Sequence, residues 1–230
     1  MPIHGIVNTA RSLGYWLRSQ EVTANNLANA NSDAFKVDRI TARQLDGAAF
    51  PQAVMHTDLR QGTLRETGRP LDLALEGDGF LVVQTERGER LVRGGSLQLD
   101  PSGQLTDSHG APVLGENGPI MAAGGTLAVH GDGSVMVDGA LVGRLRMVQV
   151  PGQQLQKEGS GRFQALVPAR PATDGAVQVR QGRIEEPNVD PLLGMVDLVA
   201  IQRAYAANLD ALHAMDGVLG TVVNQVGRVE

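Results

Sequence analysis

From Pro191 to about Arg228 the sequence carries one unbroken helical stripe. Leu198, Ile201, Tyr205, Asn208, Leu212, Met215, Leu219, Val222 and Val226 follow one another at alternating steps of three and four, and Asn208 alone among them is strongly polar. That period is the seam of a coiled coil. Val196, Val199, Ala206 and Leu209 widen the stripe, so the helix is expected to touch more than one neighbour. Such a helix spans about 60 Å. It is too long to serve as the core of a domain of this size, so it must project or lie along a partner.

A second stripe opens the chain. Ile3, Ile6, Ala10, Leu13, Leu17, Ala24 and Leu27 keep the same spacing, with Gln20 at the polar position. Asn25, Asn26, Asn29 and Asn31 follow; asparagines favour caps and turns because their amides bond nearby backbone. Two helices of matching period stay in contact over several turns at a crossing angle near 20°. The two ends are therefore expected to pair, with Leu13 or Leu17 against the final helix. Asn208 is expected to bond a polar group of the first helix or to face a site filled by a neighbouring subunit. Burying each large aliphatic side chain is worth about 1.5–3 kcal/mol. Apolar surface that the pair leaves uncovered invites further copies, and head-to-tail copying makes a tube or filament.

Between the ends, about Leu71 to Val179, the pattern changes to short strands. Leu71, Leu73 and Leu75 alternate, Phe80-Leu-Val-Val follows, and glycine turns recur at short intervals. Glycine is 29 of 230 residues and aromatics are only 3%, which suits many tight turns. Asp138-Gly139 supplies the positive φ of a two-residue hairpin. Leu145, Met147 and Gln149 alternate with Arg144, Arg146 and Val148, so that strand is expected to bury one face. The fold class is α+β: a discontinuous coiled-coil-like helical pair from 1–34 and 188–230, connectors at 35–70 and 180–187, and a central antiparallel barrel- or sandwich-like β domain at 71–179.

The chemistry the sequence offers is sparse. Cysteine is absent, which excludes disulfides, thiolate zinc sites and a cysteine nucleophile. The five histidines are scattered, without a pair on one helix face. No phosphate-binding loop or nucleophile elbow is present. Asp132, Ser134 and Asp138 lack the glycine and glutamate of a calcium loop and read as turn residues. Glu185-Glu186, beside Pro187, reads as a solvated loop. The formal net charge of −5, with no basic patch, argues against nucleic acid. No window is long and apolar enough to span a membrane, and the first residues do not resemble a secretory signal. No catalysis, cofactor or metal is expected.

Four segments, in order, resemble the flagellar rod and hook axial proteins. They are ANNLANANSDAFK from Ala24 to Lys36, LDLALEGDGFLVV from Leu71 to Val83, GQLT from Gly103 with PVLGENGPI from Pro112, and EEPNVDP from Glu185 with MVDLVAIQRAY from Met195. Arg69-Pro-Leu-Asp, Pro112 to Ile120 and Val142 to Val148 resemble the proximal rod type, whereas Ala200 to Tyr205 is more similar to the distal type. The resemblance implies a self-assembling structural subunit of the basal-body rod, exported by the flagellar type III apparatus without a cleaved signal peptide. Its implied partners are copies of itself and other rod subunits. Taken with the seams, it implies an assembly interface at Leu13, Leu17, Asn25, Asn26, Leu27, Asn29, Phe35, Leu198, Ile201, Tyr205, Asn208, Leu212, Met215 and Leu219.

Two positions depart from the family pattern: Ala34 stands for a glycine and Asp190 for an asparagine. Alanine is tolerated easily only at negative φ, so the Asp33-Ala34-Phe35 turn is expected there, with Phe35 packed as an anchor. Other readings of the same residues are a soluble ligand-binding β module dimerised by its terminal helices and a hydrolase with a site in the β domain. Clustered acids or histidines in a deep pocket favour the hydrolase; a wide exposed apolar stripe on the helical pair favours the axial protein.

Overall fold

A computed structural model describes residues 2–43, 51–173 and 175–226, with side chains from Gly5 to Thr221 within those bounds. The chain separates into two compact units. The helical unit holds Met1–Ala30, Asp38–His56 and Val189–Glu230; the β unit holds Asn31–Val37 and Thr57–Asn188.

In the helical unit, α1 spans Pro2–Ala28 and α2 spans Pro191–Val226. Strands β1 (Asp38–Arg43) and β2 (Gln52–Thr57) pair with each other, and β1 lies against α1. The stretch 35–70, expected as a connector, thus holds strands. Asp190 starts α2: its carboxylate accepts from the Leu192 and Leu193 amides at 3.0 and 3.1 Å. Pro191 follows at the first helical position, where its missing N–H costs nothing. At the end of α1, Asn26 donates to the Asp38 carbonyl at 2.7 Å and accepts from the Asp38 amide at 3.0 Å, fastening the helix to β1.

The β unit is antiparallel throughout. Its strands are β3 (Leu64–Glu66), β4 (Asp72–Gly77), β5 (Phe80–Thr85), β6 (Gly88–Val92), β7 (Gly94–Ser96), β8 (Gln98–Leu99) and β9 (Leu105–Thr106). Then come β10 (Leu114–Gly115), β11 (Gly118–Pro119), β12 (Leu127–Val129), β13 (Ser134–Val137), β14 (Ala140–Arg144) and β15 (Met147–Gln149). The last are β16 (Leu155–Gly159), β17 (Arg162–Ala165), β18 (Arg170–Pro171), β19 (Val177–Gln181) and β20 (Arg183–Glu185). One sheet runs β16-β17-β6-β5-β15-β18; smaller ones run β19-β4-β7, β12-β13-β14 and β20-β3. The strands do not close into a barrel. The Asp138-Gly139 hairpin forms between β13 and β14, with both turn residues at positive φ (50° and 82°).

Alternate residues of β5 point to opposite faces. Leu81 and Val83 join one apolar cluster with Leu73, Leu75, Leu105, Val113 and Leu145, while Phe80 and Val82 join another with Leu91, Val148 and Phe163. Both faces of the central sheet are therefore covered, which explains the continuous run Phe80-Leu-Val-Val. It also corrects the one-faced reading of the 145–149 strand: Leu145 and Val148 are both buried, in different clusters. A period of two cannot reveal a face that another layer covers.

Candidate functional site

Helices α1 and α2 pack together in antiparallel fashion. Near one end, Met215 sits over Gly5, where an added Cβ would lie 3.5 Å from the Met215 sulfur, and the Thr9 hydroxyl lies 3.9 Å from that sulfur. Near the other, a Cβ on Gly194 would meet Leu27 at 3.3 Å. The expected pairing of the ends is present. On α2 the packed side follows the expected seam: Leu198, Ile201, Tyr205, Asn208, Leu212 and Leu219 are half-buried, while Met215, though it meets Gly5 and Thr9, is exposed. Ile3, Val222 and Val226 lie outside the residues whose side chains are described.

On α1 the seam is rotated by about one residue. Thr9, Ser19, Val22 and Asn26 are its buried positions, Leu13 and Leu27 are half-buried, and the expected Ala10, Leu17 and Ala24 are exposed. Small polar residues can hold the inner face because the Thr9 and Ser19 hydroxyls bond carbonyls one turn back, at 3.0 and 2.9 Å. Asn208 does the same, donating to the Ala204 carbonyl at 2.8 Å, so its amide does not bridge to α1. Asn29 bonds the Asn25 carbonyl at 2.8 Å and Asn26 is held by Asp38, so these polar groups are engaged within the chain.

The first two turns of α2 present an apolar outer surface, whereas Arg203, Asp210 and His213 are exposed further along. Leu192, Leu193, Met195, Val196 and Val199 are all exposed, Leu192 by 71%. Among the described residues of α2, none is fully buried.

The second notable construction lies in the β unit, where the chain comes in at 34–37 and leaves at 185–188. Glu185 is buried between two cations, which corrects the solvated-loop reading. Its Oε1 accepts from Lys36 Nζ at 2.5 Å and from the Gly62 amide at 2.9 Å, and its Oε2 accepts from Arg93 Nε at 3.1 Å. The side chains of Lys36, Glu185 and Arg93 are exposed by 0%, 1% and 4%. A buried charge left unpaired costs several kcal/mol, so each needs its partners. Lys36 also donates to the Arg60 carbonyl at 2.8 Å, and Arg93 donates to the Gly77 and Gly79 carbonyls at 2.7 and 2.5 Å. Burial pushes the Lys36 ammonium below its ordinary pKa; Glu185 opposes that shift and Arg93 adds to it. Asn188 completes the arrangement, accepting from the Val37 amide at 2.8 Å and donating to the Asp58 and Arg60 carbonyls. Sequence patterning did not mark these residues as a group; the signal was that Lys36 ends one of the four family-like segments and that Glu185 opens and Asn188 centres another.

Ala34 is a further correction. Its φ is +55°, not negative. Its amide donates to the Glu185 carbonyl at 2.7 Å and its side chain is buried, so tertiary bonds hold it in the left-handed region. Phe35 is buried as expected, with Lys157 Nζ 3.7 Å from its ring centroid.

Among the described residues no group of three or more His, Asp or Glu side chains is placed to hold a metal. A cleft of about 1150 Å³ in the β unit is lined by Leu59, Phe80, Val150 and Val167, with Asp78 as the one acid among its described residues, beside Arg93 and Arg170. No described helix is long and apolar enough to cross a membrane.

Comparison with known proteins converges on one family. The family described as flagellar hook protein FlgE/F/G D1 domain matches residues 74–169, and that described as flagellar basal body rod FlgEFG protein C-terminal matches 180–226. The chain is 33% identical over 237 residues to the flagellar basal-body rod protein FlgF of Salmonella typhimurium (strain LT2), covering 93% of this chain and 94% of the relative. To the FlgF protein of Escherichia coli (strain K12) it is 34% identical over 242 residues, covering 94% and 96%. To the flagellar basal-body rod protein FlgG of Bacillus subtilis (strain 168) it is 27% identical over 244 residues, covering 89% and 92%. The chain, which holds a long helical pair and an antiparallel β unit and is matched over nearly its whole length by these relatives, thus belongs to the flagellar basal-body rod protein family.

Proposed function

We propose that this chain is a structural subunit of the flagellar basal-body rod, of the proximal type, and that it assembles through its helical pair. The observation that carries the reading is the exposed apolar face Leu192, Leu193, Met195, Val196 and Val199 on a helix whose described residues are at best half-buried. Such a face is costly to leave in water and is satisfied by neighbouring subunits. The higher identity to the relatives named FlgF than to those named FlgG supports the proximal assignment. The partners are other rod subunits and further copies of this chain, and the place of action is the basal body. Delivery is by the flagellar export apparatus. The role is mechanical, with no catalytic step.

Val196→Asp tests the reading, because a carboxylate in a buried interface is expensive to desolvate. The variant should fail to co-sediment with purified rod subunits and fail to restore swimming to a strain lacking its own FlgF protein. The urea transition of its β unit should match that of the parent chain. Assembly equal to the parent's would remove the outer face of α2 from the interface.

A further inference from the structure

The chain passes between the two units after Ala30, Val37, His56 and Asn188. On the β-unit side, the first inbound stretch, Asn31–Val37, and the final outbound segment ending at Asn188 are bonded directly to each other. The Ala34 amide donates to the Glu185 carbonyl at 2.7 Å, Lys36 pairs with Glu185 across 149 positions of sequence, and the Val37 amide donates to Asn188 at 2.8 Å. No cysteine is available to staple these segments covalently. The outbound strand β20 has one paired neighbour, β3, over three residues, and it also packs against β4 and β7 with Ile184 buried. A pull on Asn188 directed along that ladder would break it one pair at a time and then reach β19 and the main sheet.

We propose that Lys36, Arg93, Glu185 and Asn188 form a load-bearing clasp. It passes a pull on the outbound segment straight to the inbound one, so that the sheets between them carry little of it. Burial is what suits the group to this task. Water cannot replace the bonds as they stretch, and a parted pair leaves charges stranded in a low dielectric. Arg93 anchors the carboxylate further, because its Nη1 donates to the Gly77 and Gly79 carbonyls at the turn between β4 and β5 and its Nη2 donates to the Leu75 carbonyl. The source of the load rests on the rod reading; the clasp itself does not.

The cysteine-free chain allows the test in full length, with force applied through paired engineered cysteines. Asn31→Cys with Val189→Cys loads the clasp, whereas Ser108→Cys with Leu141→Cys loads the sheets elsewhere in the β unit. In Lys36→Met the rupture force across 31 and 189 should fall by about half, the buried carboxylate having lost one of its two cations. Across 108 and 141 it should stay close to the parent's. Asn188→Ala should show a smaller drop with the same selectivity, and carries the comparison if Lys36→Met does not fold. An equal fractional loss in both geometries would make the group an ordinary stabiliser and overturn the proposal, as would no loss across 31 and 189. Failure of the rod reading would show instead in the assembly and swimming assays of Val196→Asp, which do not bear on these forces.

Discussion

In the β unit, Leu73, Leu75, Leu81, Val83 and Val113 are wholly removed from solvent, whereas in α2 the described side chains are half-buried at most. The β unit covers its own apolar residues on both faces of its central sheet. The helical pair covers one side of each helix and leaves the other wet. A unit that completes its own core is stable as a monomer; one that does not draws its remaining stability from neighbours. The polar residues divide in the same way. The β unit buries a charged group among its partners, while the helical pair holds Thr9, Ser19 and Asn208 on its own carbonyls, keeps charges such as Arg18 and Glu21 exposed, and presents apolar side chains outward at the start of α2.

The largest effect should come from the clasp. Glu185→Ala leaves Lys36 and Arg93 buried without their carboxylate and should cost about 3–5 kcal/mol in the urea unfolding of the β unit. A cost under 1 kcal/mol would mean that water reaches the site and that the contrast between the units is overdrawn. The next test applies one truncation to both units. Leu81→Ala should cost about 3 kcal/mol as a cavity in a closed core, and Leu198→Ala in the free chain about 1 kcal/mol as loss of a half-buried contact. Equal losses, by calorimetry or denaturant titration, would show that the free helical pair is already closed.

A smaller effect of opposite sign is expected at Ala34. The left-handed backbone costs alanine about 1–2 kcal/mol, and glycine brings back about 0.5–1 kcal/mol of chain entropy, so Ala34→Gly should stabilise by about 0.5 kcal/mol. Destabilisation in the melting curve would mean that the buried methyl group matters more than the strain.

The smallest effect concerns Asp33. Partial burial holds its carboxyl above the ordinary 3.8; Arg65 pulls it down, Asp72 pushes it up and Arg69 pulls it down. A raised carboxyl favours the folded state while protonated, and that contribution is lost as pH rises through the folded pKa. Asp33→Asn should therefore melt slightly higher than the parent at pH 7, with the difference vanishing below pH 3.8. The same difference at both pH values would exclude titration as its cause.

Read alone, the residues determined a good deal. The α+β class, the pairing of the ends, the seam of α2 and the Asp138-Gly139 hairpin follow from local periodicity and turn chemistry, which neighbours in sequence fix between them. The four segments that resemble the axial proteins likewise marked the family. Which side of α1 faces inward was left to tertiary packing, because positions 10, 17 and 24 and positions 9, 16 and 23 share one period. Only packing against α2 and β1 distinguishes them. Glu185 read as solvated because burial of a charge depends on partners 92 and 149 positions away, Arg93 and Lys36, which no local pattern carries. Ala34 read as negative in φ because intrinsic preference was the only local guide. A bond to the Glu185 backbone, available only once the chain has closed on itself, holds it on the other side.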